Sequence, residues 1–197
     1  MLEHYLPQLK LSAGDQVLVP LCGKSLDMGW IIKRRLRVLG IELSAIAIEA
    51  FFDTQKVIPT RQAHRNFIRW QHKDCEIWCG DIFDLRLKDM RTIKLIYDCM
   101  ALTAMPAKTR EQYVAHFTRI LPKTSPILLL TTETPDEQVA NSVSTIDSEV
   151  HSLYQKDYQI ALLHGKNCFK IDPEYPEDSP RHLEEKVYLM HRLASLP

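Results

Sequence analysis

No run of apolar residues in the chain approaches the roughly 20 that span a bilayer, and the opening MLEHYLPQLKLSAGD lacks the charged-then-apolar order of a secretory leader. Both absences point to a cytoplasmic protein. There is also no net charge. The 25 Lys+Arg are balanced by 25 Asp+Glu, so the sequence carries no electrostatic footprint for nucleic acid or for an anionic membrane surface. A small, roughly neutral partner is expected instead. Cysteines are few and odd in number, at Cys22, Cys75, Cys79, Cys99 and Cys168. Scattered thiols suit a reducing compartment better than a disulfide framework. His72, Cys75 and Cys79 lack the paired close spacings of a zinc site, and the eight histidines form no cluster. No nucleophile-elbow motif is present either, which removes the Ser-His-Asp hydrolases.

What is present is a rhythm of short β-branched runs and amphipathic helices. With 197 residues, 45% of them hydrophobic, the chain has enough material for one sizeable core, and residues 1–197 read as a single domain. A short helix is predicted around Leu2 to Leu9, a turn at Gly14-Asp15 and a buried strand over Gln16 to Leu21. SLDMGWIIKRR has a helical pattern. Arg37 to Leu43 reads as a second strand, after which Ser44 stands where an N-cap belongs, ahead of AIAIEAFFDTQKV. Ile58 to Lys73 is polar and breaks the rhythm; FIRWQ and CEIWCGD suggest a hairpin or an extra strand leading into the third strand of the sheet.

Ile93 to Met100 is a fourth strand, Pro106 suits the first turn of the helix AKTREQYVAHFTRIL, and Pro126 to Thr134 is a fifth strand. A short helix over Asp147 to Tyr154 precedes the strands YQIALLHG and EKVYLMHRL, a hairpin-like pair. The pattern is that of a doubly wound α/β fold whose mixed sheet closes with an antiparallel strand. Trp30, Phe51, Phe52 and Tyr113 recur on the helices and are expected in the core.

The chemistry is expected at the carboxyl ends of the strands. The first strand ends in Pro20-Leu21-Cys22-Gly23-Lys24-Ser25 directly before a helix, where backbone N–H groups face a ligand. Glu42 ends the second strand 42 − 23 = 19 residues after Gly23, close to the roughly 20 expected of an acid that grips ribose hydroxyls. A P-loop would need a glycine where Leu18 stands, and the dinucleotide fingerprint would need small residues where Lys24 and Leu26 stand. A ligand with a ribose but without phosphates fits better, and a nicotinamide-dependent dehydrogenase is disfavoured. Cys79-Gly80-Asp81-Ile82-Phe83-Asp84 closes a strand with acids and an apolar pair suited to an adenine; a capped turn is the plainer alternative. Asp98, with Cys99, ends the next strand on the same rim and is the candidate catalytic residue. The plainer alternative is a cap on Met100-Ala101-Leu102.

The blocks VLVPLCGKSLDMGWI, VLGIELSAIAIEAFF, WCGDIFDL and IYDCMALTAMPAKTREQYVAHF resemble the thiopurine S-methyltransferase family, from about Asp15 to Arg192. The resemblance implies a Rossmann-like, seven-stranded fold with a reversed last strand and helices on both faces. It implies S-adenosyl-L-methionine as cofactor and a small-molecule thiol as acceptor, with some bacterial members acting on selenium or tellurium compounds. Carried over by position, Leu21 offers backbone contact to the cofactor, Glu42 binds its ribose, and Asp81 with Ile82 borders the adenine, while Gly23 joins the cofactor-binding candidates from the turn after the first strand. Two departures accompany it. The family's N-terminal lid segment is expected to be missing, and Cys99 stands where the family has an arginine. A monomeric S-methyltransferase is the resulting expectation; the alternative is a degenerate S-adenosylmethionine-binding protein of the same fold.

Overall fold

The short β-branched runs pair into one sheet. In the computed structural model, which describes residues 1–133, 146–170 and 181–194, the strands are β1 (Gln16–Pro20), β2 (Arg37–Glu42), β3 (Thr60–His64), β4 (Phe67–His72), β5 (Cys75–Cys79), β6 (Ile93–Cys99), β7 (Ile127–Glu133), β8 (Tyr158–Lys170) and β9 (Arg181–Arg192). Their spatial order is β3-β4-β5-β2-β1-β6-β7-β9-β8. β5, β2, β1, β6 and β7 run parallel, and β9 inserts antiparallel between β7 and β8. These seven strands match the expected mixed sheet with its reversed last strand.

Among the described residues the sheet has nine strands, which corrects the expected seven. The polar stretch before β5 is a complete antiparallel hairpin that extends the sheet at β5. It buries only two large side chains, Phe67 on one face and Trp70 on the other, and Arg65 makes its turn at φ 55°. With one anchor per face, no alternating apolar pattern survives to advertise the strands.

Helices cover both faces. α1 (Leu2–Tyr5), α2 (Leu26–Lys33) and α3 (Ala45–Thr54) pack on one side through Leu2, Met28, Ile31, Ile48, Phe51 and Phe52. α4 (Ala101–Ala104), α5 (Ala107–Ile120) and α6 (Ile146–Tyr154) pack on the other through Leu102, Tyr113, Val114, Phe117, Val150 and Tyr154. Being covered on both faces is why β1 is buried along its whole length and reads as a continuous apolar run. Burying each such Val, Leu or Ile contributes roughly 1.5–3 kcal/mol.

Two local details set the rim on which the site is built. Ser44 caps α3 as expected, its Oγ accepting the Ala47 N–H at 3.3 Å, which directs the chain away from the end of β2. Pro106 falls at the N-cap of α5, one residue ahead of the first turn. Gly40 in β2 matters for a different reason: a Cβ there would stand 2.8 Å from Cys22 Sγ. The missing side chain lets the loop after β1 settle onto β2.

Candidate active site

The carboxyl ends of β1, β2, β5 and β6 share one edge of the sheet, where an open α/β fold presents its ligands. Beyond Pro20 the chain turns sharply through Leu21 at φ 45° and Gly23 at φ 50° before Ser25 caps α2. Leu21 holds the left-handed conformation without being glycine, at a cost of roughly 1–2 kcal/mol. It is held there in part by Cys22, whose N–H donates to the Ile41 carbonyl at 3.0 Å.

Glu42 ties this loop to the next. Its Oε2 accepts the Gly23 N–H at 2.8 Å and its Oε1 accepts the Ser44 N–H at 2.8 Å. One half-buried carboxylate therefore fixes the β1–α2 and β2–α3 loops relative to each other. Each oxygen keeps a second lone pair, so the group still has capacity to accept hydroxyls.

A cavity of about 430 Å³ opens beside it, lined by Leu21, Glu42, Asp81, Ile82 and Phe83 and by Ala104 and Met105. Four of the five residues expected to bind cofactor thus meet in one place. Gly23 does not line the cavity; its amide is spent on Glu42. Asp81 Oδ1 accepts the Phe83 N–H at 2.9 Å and caps a single tight turn, Ile82–Asp84. That cap presents Ile82 and Phe83 as an apolar wall. Gly80 is required by contact, because a Cβ there would lie 2.6 Å from Phe67 Cδ1 and 2.9 Å from the Asn66 carbonyl oxygen. The β3–β4 hairpin thereby abuts the cavity wall at Gly80.

Asp98 lies beneath the rim, only 1% exposed. Its Oδ2 accepts the Tyr113 O–H at 2.7 Å and its Oδ1 the Leu102 N–H at 3.3 Å. Burial pushes its carboxyl up to about 6, against the opposing pull of those hydrogen bonds. Asp98 lines neither the cavity just described nor the next one. That second cavity, about 340 Å³, lies on the α1–α2 face and includes Cys99, Met100, Leu130 and Thr132. Burial raises the Cys99 thiol, with a nearby Tyr97 hydroxyl acting the other way. Met100, at φ 65°, turns the chain from β6 into α4.

Ala104, Met105 and Thr109 complete the wall of the 430 Å³ cavity and were not anticipated. Small and apolar residues on a helix read as core by pattern alone; the one available sign was Pro106, which forces a corner where such residues can face a cleft. Among the described residues no group of His, Cys, Asp and Glu could hold a metal. Nor, among those residues, is any helix long and apolar enough to cross a membrane.

Comparison with known proteins agrees with this geometry. Residues 1–193 match the family model described as Thiopurine S-methyltransferase. The thiopurine S-methyltransferase of Stutzerimonas stutzeri (strain A1501) is 38% identical over 95% of this chain and 80% of its own length. That of Nitrosospira multiformis is 36% identical over 96% of this chain and 86% of its own. The fold is shared with a TehB-like S-adenosylmethionine-dependent methyltransferase from Corynebacterium glutamicum, with TM-score 0.60 at 14% identity, covering 97% of this chain and 87% of that one. It is shared likewise with an S-adenosylmethionine-dependent methyltransferase from Methanosarcina mazei, with TM-score 0.67 at 11% identity, covering 96% and 98%. The residues present suit that cofactor: a carboxylate at the mouth for ribose hydroxyls, an apolar wall for a base, and a volume within the ordinary range for small-molecule sites. The chain belongs to the thiopurine S-methyltransferase family and is a methyltransferase whose methyl donor is S-adenosylmethionine.

Proposed function

We propose that the protein is a cytoplasmic S-methyltransferase acting on small thiols and their heavier chalcogen analogues. The observation that carries this reading is the pair of cavities at the carboxyl edge of one sheet. One is lined by Glu42, Asp81 and Ile82, and the other contains Cys99, Met100 and Leu130. The chain from Cys99 through α4 to Met105 contributes to both.

When bound, S-adenosylmethionine would supply an electrophilic methyl group for transfer to an acceptor lone pair, with the neutral thioether S-adenosylhomocysteine as the leaving group. The protein's part is to align the partners. Glu42 would hold the ribose, Leu21 would offer its backbone, and Ile82 with Asp81 would border the adenine. Met100 and Leu130 would give the acceptor an apolar, polarisable surface of the kind that suits soft atoms. Positioning of this sort is worth on the order of 7–11 kcal/mol in well-oriented systems. An acidic thiol arrives already deprotonated, so no general base is assigned.

Calorimetry with S-adenosylmethionine, followed by mass spectrometry of reactions with aromatic and aliphatic thiols, selenite and tellurite, tests the reading. Binding with methylated product supports it. Binding with no product from any acceptor would instead favour a cofactor-binding protein without turnover, the reading motivated by a neutral thiol at Cys99 in place of the family's cation.

A further inference from the structure

We propose that Met100 sets which acceptors this protein takes: its thioether, fixed along the wall of the second cavity, admits slim thiols and selenols and turns away fused-ring ones. The inference rests on the reading that this cavity holds the methyl acceptor, and it adds a limit on bulk that an apolar surface alone does not impose.

Met100 is held at its backbone and at its sulfur. Its N–H donates to the Leu130 carbonyl at 3.0 Å, and its own carbonyl accepts the Ala104 N–H at 3.0 Å and the Thr103 O–H at 3.1 Å. Its Sδ accepts the Thr132 O–H at 3.3 Å. A methionine ordinarily adapts to its surroundings, because its unbranched side chain turns about each bond; a hydroxyl bonded to the sulfur removes much of that freedom. The register of the sheet shows where the thioether lies. Cys99 pairs with Leu130, and alternate residues of a strand share a face, so Cys99, Leu130 and Thr132 point to the same side. That side carries the second cavity, and Met100 lines it with all three. The Met100 side chain therefore reaches from the end of β6 to Thr132 on β7.

The backbone gives an independent sign. Met100 stands at φ 65°, in the left-handed region that glycine enters freely and a residue with a Cβ enters only under strain. The turn from β6 into α4 by itself calls for glycine. Core packing does not offset the strain, since the residue is 42% exposed. Strain of this kind persists where a site uses it, and what the site gains here is a thioether in the cavity. With that side chain against its wall, the cavity measures about 340 Å³, near the lower end of the roughly 300–1,000 Å³ common for small-molecule sites. An alkyl chain bends around a fixed thioether and a single ring tilts past it, whereas a rigid fused pair of rings meets it.

The test is a ladder of ethanethiol, thiophenol and naphthalenethiol, with methylated product measured by mass spectrometry for wild type, Met100→Gly and Thr132→Val. In wild type, kcat/KM should fall about tenfold to a hundredfold between thiophenol and naphthalenethiol, the order by which a pocket discriminates on bulk. Met100→Gly suits the turn and removes the thioether. It should erase that gap, mainly by lowering KM for naphthalenethiol, while calorimetric affinity for S-adenosylhomocysteine stays within about twofold. Thr132→Val leaves Met100 in place but frees its sulfur, so the gap should narrow without vanishing, which decides the matter even if Met100→Gly does not fold. A wild type indifferent to acceptor bulk, or an undiminished gap in either variant, would overturn the proposal. Methylation of none of the three thiols by wild type would instead overturn the acceptor reading on which it stands.

Discussion

A carboxylate buried with no ion-pair partner among the described residues should leave a thermodynamic trace, and Asp98→Asn is the substitution that exposes it. The folded-state value of Asp98 is about 6, against an ordinary 3.8. Because the folded value is the higher one, the native state binds this proton more tightly than the unfolded chain does. The stabilisation from that proton is complete below the unfolded value and is lost as pH rises through about 6. The difference of roughly 2 units corresponds to about 3 kcal/mol at 1.36 kcal/mol per unit. Asparagine mimics the protonated state: its Oδ1 can accept the Leu102 N–H and its amide can donate to the Tyr113 oxygen. The variant should therefore match wild type near pH 4 and exceed it by up to about 3 kcal/mol near pH 8. Urea unfolding of both proteins at a series of pH values measures this, and taking the difference cancels every other titrating group they share. A stability gap that does not change between the two ends of the range would refute the reasoning. So would a variant less stable than wild type at high pH.

Three other substitutions probe separate supports of the site. Glu42→Ala frees the Gly23 and Ser44 amides and removes the acceptor proposed for ribose, so affinity for S-adenosylhomocysteine should drop by about 30-fold, or roughly 2 kcal/mol; unchanged calorimetric affinity would contradict that role. Gly80→Ala places a Cβ against Phe67 and the Asn66 carbonyl, which should cost about 1–3 kcal/mol and lower Tm by a few degrees, and a Tm equal to wild type would show that the hairpin yields freely. Ser125 donates from its buried Oγ to the Ile93 carbonyl at 2.6 Å, so Ser125→Ala should shift the urea midpoint by an amount worth about 1–2 kcal/mol without changing cofactor affinity. A change in affinity there would mean that the base of β6 is coupled to the rim.

The parallel half of the sheet was legible because each of its strands is covered on both faces. Burial on both sides writes a continuous apolar run such as Val17-Leu18-Val19 or Val38-Leu39, and the following loop then declares itself by its cap, as Ser44 does. The β3–β4 hairpin was only half legible. Its hold on the molecule comes from two aromatics on opposite faces and from the absent side chain of Gly80, none of which has a period. The cavity followed the same division. Leu21, Glu42, Asp81 and Ile82 could be placed from the ends of strands, since a strand end fixes where the next residue goes. Ala104 and Met105 could not, because what brings them to the cavity is the corner at Pro106 and the hold of Asp98 on α4, and both are tertiary facts.

Asp98 shows how a residue type can be placed correctly while its task stays open. At the end of a strand, next to a ligand edge, an aspartate can face the reaction or cap the turn that follows, and the sequence is the same either way. The structure gives the carboxylate the capping geometry, yet a cap needs no burial. A cap on an exposed turn would be worth about 1 kcal/mol and would hold the carboxylate at or below its ordinary value. Here the same group is sealed behind Tyr113, with its proton affinity raised more than a hundredfold in equilibrium terms, at about tenfold per unit. Capping alone does not account for a placement that destabilises the fold at neutral pH, since a serine or asparagine would cap without the charge. What distinguishes aspartate from those two is a pair of acceptor oxygens, one taking the Leu102 N–H and the other the Tyr113 O–H, so that one side chain ties β6 to both α4 and α5.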